Sequence, residues 1–167
     1  MYSVKDYVVC GSSGVCRVED IRVPDYAVLK VPHYVLQPLY DLKTKVTIPV
    51  EGGHCHLRST ITRGEAEDFS KQFHACETLF CNDSRYLGKF ASEILSGGEW
   101  LKWLGLFKGF CEKRSRQKSR GKGLTMREDA LYNRVKNLVV GELAFVLKMS
   151  VEDVEISCIR ALEDQLE

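Results

Sequence analysis

The spacing of hydrophobic residues changes character near residue 62. From Val4 to Val50 short runs rich in Val, Ile, Tyr and Thr alternate with turn residues, and all four prolines fall in this stretch. Tyr7-Val8-Val9, Val15 to Val23, His33 to Tyr40 and Lys45 to Val50 read as strands, separated by Gly11-Ser12-Ser13-Gly14, by Pro24-Asp25 and by a Gly52-Gly53 turn. Four or five short strands in about 60 residues predict a small, strongly bent sheet or barrel. After Thr62 the period becomes helical. One helix over Glu65 to Phe80 places Phe69, Phe73, Cys76 and Leu79/Phe80 on one face. A second, capped by Asn82, runs to Leu95 and stops at Ser96-Gly97-Gly98. A third spans Glu99 to Lys113, with Trp100, Trp103/Leu104, Phe107 and Phe110/Cys111 inward, and Gly105 and Gly109 spaced for a close helix contact. Thr125-Met126-Arg127-Glu128 reads as a capping box that opens a long helix carrying Leu131, Val135, Leu138, Val139 and Leu143. Ser150 opens a fifth, with Val154, Cys158, Ile159, Leu162 and Leu166 in register.

Composition narrows the class. The chain has 167 residues, 44% of them hydrophobic, and 24 Lys and Arg against 23 Asp and Glu. Near-neutral charge excludes a polyelectrolyte that coats nucleic acid wholesale, and the apolar content excludes a disordered chain. No stretch approaches the 18 to 20 apolar residues of a membrane span, so no membrane partner is expected. Met1 to Asp6 shows no basic region followed by an apolar run, which leads us to expect a cytoplasmic protein. The seven cysteines are an odd number and fit reduced, small hydrophobic residues better than a disulfide scaffold.

Candidate chemistry is sparse. Gly11-Ser12-Ser13-Gly14 lacks the Lys and the following helix of a phosphate loop, and neither a zinc-protease helix nor a nucleophile elbow is present. No enzyme activity and no cofactor are therefore expected. His54-Cys55-His56, with His74, Cys76 and Cys81, is the most metal-like grouping, but it lacks the two close ligand pairs of a structural zinc site, so no metal is expected. Cys10 and Cys16 bracket a turn and could approach each other across a hairpin. The stronger signal is basic: six of the ten residues from Lys113 to Lys122 are Lys or Arg, read as a loop that is either merely solvated or in contact with phosphates. No aromatic residue is interleaved there to stack on bases.

Several segments together resemble the CarD/CdnL family of bacterial RNA polymerase-binding transcription regulators. They are Tyr2-Ser3-Val4-Lys5-Asp6-Tyr7-Val8-Val9 with Gly14-Val15, then Tyr34-Val35-Leu36-Gln37-Pro38-Leu39, Thr47-Ile48-Pro49-Val50 and Leu57-Arg58. In the helical half they are Gly123-Leu124-Thr125 and Val140-Gly141-Glu142-Leu143-Ala144. The resemblance implies an α+β protein: a Tudor-like β barrel over 1–62 that docks on the RNA polymerase β subunit, and a five-helix domain over 63–167 that touches promoter DNA at the upstream edge of the bubble. It implies edge-strand pairing along Lys45 to Val50, with Arg22, Lys45, Thr47 and Pro49 as polymerase-facing residues. Arg85, Lys89, Arg114, Arg116, Lys118 and Arg120 are the implied DNA contacts. Where the family commonly carries Trp in an Asn-Trp-Ser-Arg stretch, used as a minor-groove wedge, this chain has Asp83. The expected protein is a monomeric, nucleoid-associated regulator of promoter opening. Two rival readings are a thiol or metal sensor built on the Cys and His residues, and a polymerase-binding adaptor with no DNA contact.

Overall fold

The structure, a computed structural model, describes residues 1–28, 30–52 and 56–166. It divides into two compact units, Met1–Thr60 with Ser96–Gly98, and Ile61–Leu95 with Glu99–Glu167. The first is a five-stranded sheet of β1 (Tyr7–Cys10), β2 (Gly14–Arg22), β3 (His33–Pro38), β4 (Val46–Pro49) and β5 (Leu57–Arg58), in the order β4-β3-β2-β1-β5. Its four pairings are all antiparallel. Alternation sends Val8, Cys10, Cys16, Val18, Tyr34, Leu36 and Ile48 into one core, with Tyr2, Ile21, Val46 and Leu57 packed against it. A register shift between Val18 and Asp20 bulges β2 against β3 and adds to the bend of the sheet.

The expected barrel is not formed: the sheet is open, with β4 and β5 as its two edges. The register supplies the reason. Val50 N–H donates to the Pro32 carbonyl at 2.9 Å, so in β4 the residues in phase with Val50 bond to β3, while the backbone of Thr47 and Pro49 points outward. Pro49 has no N–H, which leaves Thr47 as the sole outward donor of β4, and β5 is two residues long. A two-residue β5 is too short to close a ladder against that edge. A groove of about 290 Å³, lined by Tyr2, Tyr34, Ile48, Val50 and Leu57 among others, lies where closure would have occurred.

The second unit is a bundle of six helices rather than the expected five. They are α1 (Arg63–Glu67), α2 (Phe69–Ala75), α3 (Ser84–Gly97), α4 (Trp100–Ser119), α5 (Met126–Leu147) and α6 (residues 151–164). In α6, helical turns Val151–Val154 and Arg160–Asp164 flank a π-helical stretch, Glu155–Ile159. The extra helix comes from a break in the single helix expected over Glu65 to Phe80. A capping box of Thr62 and Glu65 opens α1, Asp68 at φ −89° and ψ 8° ends it, and α2 restarts from the Asp68 carbonyl. After Ala75 the chain is extended, so Leu79 and Phe80 are not helical. Lys108 Nζ donates to the carbonyls of His74 (2.9 Å) and Cys76 (3.0 Å), satisfying the end of α2.

Helix α4 is the axis of this core. Trp100, Trp103, Leu104, Leu106, Phe107, Phe110 and Cys111 are all buried on it, and Val135, Val139, Leu143 and Tyr132 of α5 are buried too. Glu142, 1% exposed, accepts the Ile61 N–H at 2.9 Å and so ties the start of the unit to α5. The glycine pair of α4 does make a close contact, though with an extended segment rather than with another helix. A Cβ on Gly105 would lie 2.4 Å from the Glu77 carbonyl oxygen, and one on Gly109 would lie 2.3 Å from that of Leu79. Helix α4 also runs on to Ser119, so the basic run expected as a loop is mostly helix. It ends in a Schellman motif: Gly121 at φ +68° donates to Lys118 O (2.9 Å) and Lys122 N–H donates to Gln117 O (2.9 Å).

The close approach sets a stability prediction. Gly109→Ala must displace backbone and should cost about 1–3 kcal/mol. Gly64→Ala, with no heavy atom within 4 Å of the new Cβ, should be neutral or stabilising by up to about 1 kcal/mol. Denaturant unfolding of the two variants checks the contrast.

Candidate functional site

Two surfaces carry the residues singled out from the sequence. The first is the β4 edge. Strand register aligns Arg22, His33 and Pro49 in one cross-strand row, and Asp20, Val35 and Thr47 in another. Side chains directly opposite in antiparallel strands share a face, so Arg22, Thr47 and Pro49 come together on the face opposite Ile48 and Tyr34. Lys45 is exposed immediately before β4, and Gln37 Nε2 braces the turn that precedes it by donating to the Asp41 and Thr44 carbonyls, each at 3.0 Å. Arg22 lies 3.9 Å from Asp20 in an exposed pair, too solvated to fix its position firmly. Sequence reasoning missed His33 and Val35 on this face, because cross-strand neighbours depend on register and on the bulge in β2.

The second surface joins the start of α3 to the last turns of α4. Asp83, not Asn82, caps α3: its Oδ1 accepts the Arg85 N–H at 3.0 Å and its carbonyl accepts Leu87 N–H at 3.0 Å. The same carboxylate holds the Arg85 guanidinium in a fork, Nε to Oδ1 at 3.1 Å and Nη2 to Oδ2 at 2.9 Å. That side-chain bond, with the Arg85 N–H second, holds the Asp83 carboxyl below the ordinary carboxylate range. Arg85 also lies over the Tyr86 ring, 5.6 Å from its centroid. Lys89, one turn on, is highly exposed and 3.9 Å from Glu93.

The basic run separates by environment. Arg114, though exposed, is held against the bundle: Nη1 lies 3.2 Å from Glu163 Oε1, donates to Tyr132 Oη at 3.0 Å, and the guanidinium sits over the Tyr132 ring. Lys113 lies 3.8 Å from Glu128 and over the Phe80 ring. Lys118, exposed, lines a hollow with Cys111, Arg114 and Glu163. Arg116 and Arg120 are exposed and line a different hollow with Asn82, Lys113 and Gln117. The six cations expected at DNA therefore have different partners and do not line one common hollow. Asn82 and Gln117 were not foreseen; they emerge only once α4 is known to extend to Ser119, which the Gly121 signal would have indicated.

The sensor residues are dispersed. His54 and Cys55 lie outside the described residues. His74 Nε2 meets Gln165 Oε1 at 2.9 Å, and among the described residues no group of three or more His, Cys, Asp or Glu side chains is placed to hold a metal ion. Cys10 and Cys16 are both buried, with Cys16 opposite Val8 and Cys10 opposite Gly14. Burial pushes the Cys111 thiol far above the ordinary thiol range, with Glu163 adding to the shift, and burial also raises Cys76. Among the described residues no helix is long and apolar enough to cross a membrane.

Comparison with known proteins bears on the first unit. Residues 2–61 match the family model described as CarD-like/TRCF RID domain. The match stops at residue 61, so Val140-Gly141-Glu142-Leu143-Ala144 and the rest of the helical half lie beyond it. No curated protein matches the chain.

Because the thiolate is the reactive form, a raised pKa keeps Cys111 protonated at neutral pH. Cys10, Cys16 and Cys111 should be labelled by a thiol reagent only after unfolding, even at pH 9. Peptide mapping of folded and unfolded samples checks this, and rapid labelling of any of the three in the folded protein would restore the sensor reading.

Proposed function

We propose that this protein, whose residues 2–61 match the CarD-like/TRCF RID domain family model, is a non-catalytic transcription regulator. Its N-terminal unit binds the β subunit of RNA polymerase, and its helical unit contacts promoter DNA to modulate opening. The observation that carries the reading is the free edge of β4. A matched polymerase-interacting module presents an unpaired strand whose outward groups are the Thr47 N–H and C=O and the Pro49 C=O. A strand added there gains main-chain hydrogen bonds, while Arg22, Lys45, Thr47 and Pro49 on or beside that edge select the partner.

For the helical unit, the support is the cluster of exposed cations around the end of α4 and the start of α3. Regulation of promoter opening follows if the protein binds the open complex more tightly than the closed one. Asp83 modifies this role. An anion at the cap of α3 repels phosphate and takes up Arg85, so DNA affinity rests on charge rather than on insertion between bases, and falls steeply with salt.

Two experiments test the reading. Full-length protein should co-purify with RNA polymerase, and Thr47→Pro should weaken that association at least tenfold while leaving the unfolding midpoint nearly unchanged, because the lost N–H faces outward. Equal retention of polymerase by the variant would remove β4 as the contact. Asp83→Asn keeps a good helix cap but releases Arg85. It should tighten duplex binding and steepen the log-log salt dependence by about 0.9, the contribution of one phosphate contact. An unchanged slope in a fluorescence anisotropy titration would show that Arg85 does not face DNA.

A further inference from the structure

The end of α4 carries cations whose placement helix stability alone does not explain. Arg116 and Arg120 are four residues apart on one face, where like charges repel. Their neighbours are neutralised: Arg114 by Glu163, Lys113 by Glu128 and Arg85 by Asp83. Among the described residues neither the Arg116 nor the Arg120 side chain makes an ion pair or hydrogen bond. Both line a hollow of about 190 Å³, closed by Asn82 from the start of α3 and by Lys113 and Gln117. A hollow of that size, open to solvent, admits one phosphate group. Cations at a helix C-terminus do favour the helix dipole. Lys118 and Lys122 serve that purpose from outside the hollow, and the dipole gives no reason for two guanidinium groups to line one cavity beside two side-chain amides.

We propose that this hollow is a phosphate clamp, in which Arg116 and Arg120 grip the oxygens of a single phosphodiester and the Asn82 amide donates the third arm. Guanidinium forks match phosphate oxygens, and the aliphatic stem of Lys113, its ammonium paired with Glu128, bounds the hollow. The proposal rests on the reading that the helical unit contacts DNA. It sharpens that reading: of the basic run, Arg116 and Arg120 hold the backbone of the duplex, whereas Arg114 braces the bundle. A free phosphorylated small molecule presents the same chemistry, and the experiment separates the two sources.

Full-length protein is titrated with a labelled DNA duplex over a range of salt, and separately with inorganic phosphate while the Nε–Hε signals of the arginines are followed by NMR. Arg116→Gln with Arg120→Gln should weaken duplex binding at least tenfold at low salt and flatten the log-log slope by about 1.8, two contacts' worth. Asn82→Ala should weaken binding several-fold with the slope unchanged, an effect that a helix-dipole role for the arginines would not produce. Lys118→Gln with Lys122→Gln, the control, should retain more affinity than the arginine pair. If the wild type binds duplex but the arginine pair variant keeps its affinity and slope, the clamp is overturned and the DNA reading stands. If the wild type binds no duplex yet phosphate shifts the Arg116 and Arg120 signals, the DNA reading fails and the clamp serves a free phosphorylated molecule. Absence of both duplex binding and phosphate shifts overturns the clamp as well. Unfolding curves of all variants should superimpose on the wild type, since the substituted side chains are exposed.

Discussion

The contact between a glycine-lined stripe of α4 and the extended chain from Glu77 to Phe80 governs what the helical unit presents. With hydrogens in place of side chains at 105 and 109, the strand-like segment lies directly on the helix. Leu79 N–H donates to the Gly105 carbonyl at 3.0 Å, Thr78 Oγ1 bonds Glu112 at 3.1 Å, and Phe80 meets Phe110 edge-on with centroids 5.2 Å apart. This strap delivers Asn82 beside the last turns of α4 and fixes where α3 begins. A methyl group at either glycine would lift the strap and separate surfaces that are otherwise assembled from residues more than 30 positions apart.

Charge in this protein is decided by neighbours rather than by count. The chain is almost neutral, and a basic run is visible in it, but each cation has a separate fate. Arg114 is a structural bridge, Arg85 is taken up by its own helix cap, and Lys89 sits in a loose pair along α3. Only geometry separates those from Arg116 and Arg120. The same holds for the cysteines, where burial of Cys111 beside Glu163 favours the protonated thiol.

Much of the fold was legible. Alternation located β1 to β4, Thr125 and Glu128 form the reciprocal capping box that their spacing announces, and Ser150 caps α6 by accepting the Asp153 N–H. What escaped is what local patterns do not encode. Whether the sheet closes depends on which way Pro49 points in the β3–β4 register. The split at Asp68 lies within an unbroken apolar period. The six extra residues of α4 lack a hydrophobic repeat, so only Gly121 marks where the helix stops. The face shared by Arg22, Thr47 and Pro49 was legible as a set of residues, yet His33 joins it through pairing alone.

The outward proline of β4 has a colloidal consequence. Exposed strands invite copies of the same chain to stack edge to edge, and sheet proteins suppress this with prolines and short edges. β4 is four residues long with one outward donor, and β5 is two residues long, so neither edge supports a continuous ladder with itself. The open sheet therefore offers little backbone for a second copy to pair with, and a strand added at β4 would meet a single outward N–H there.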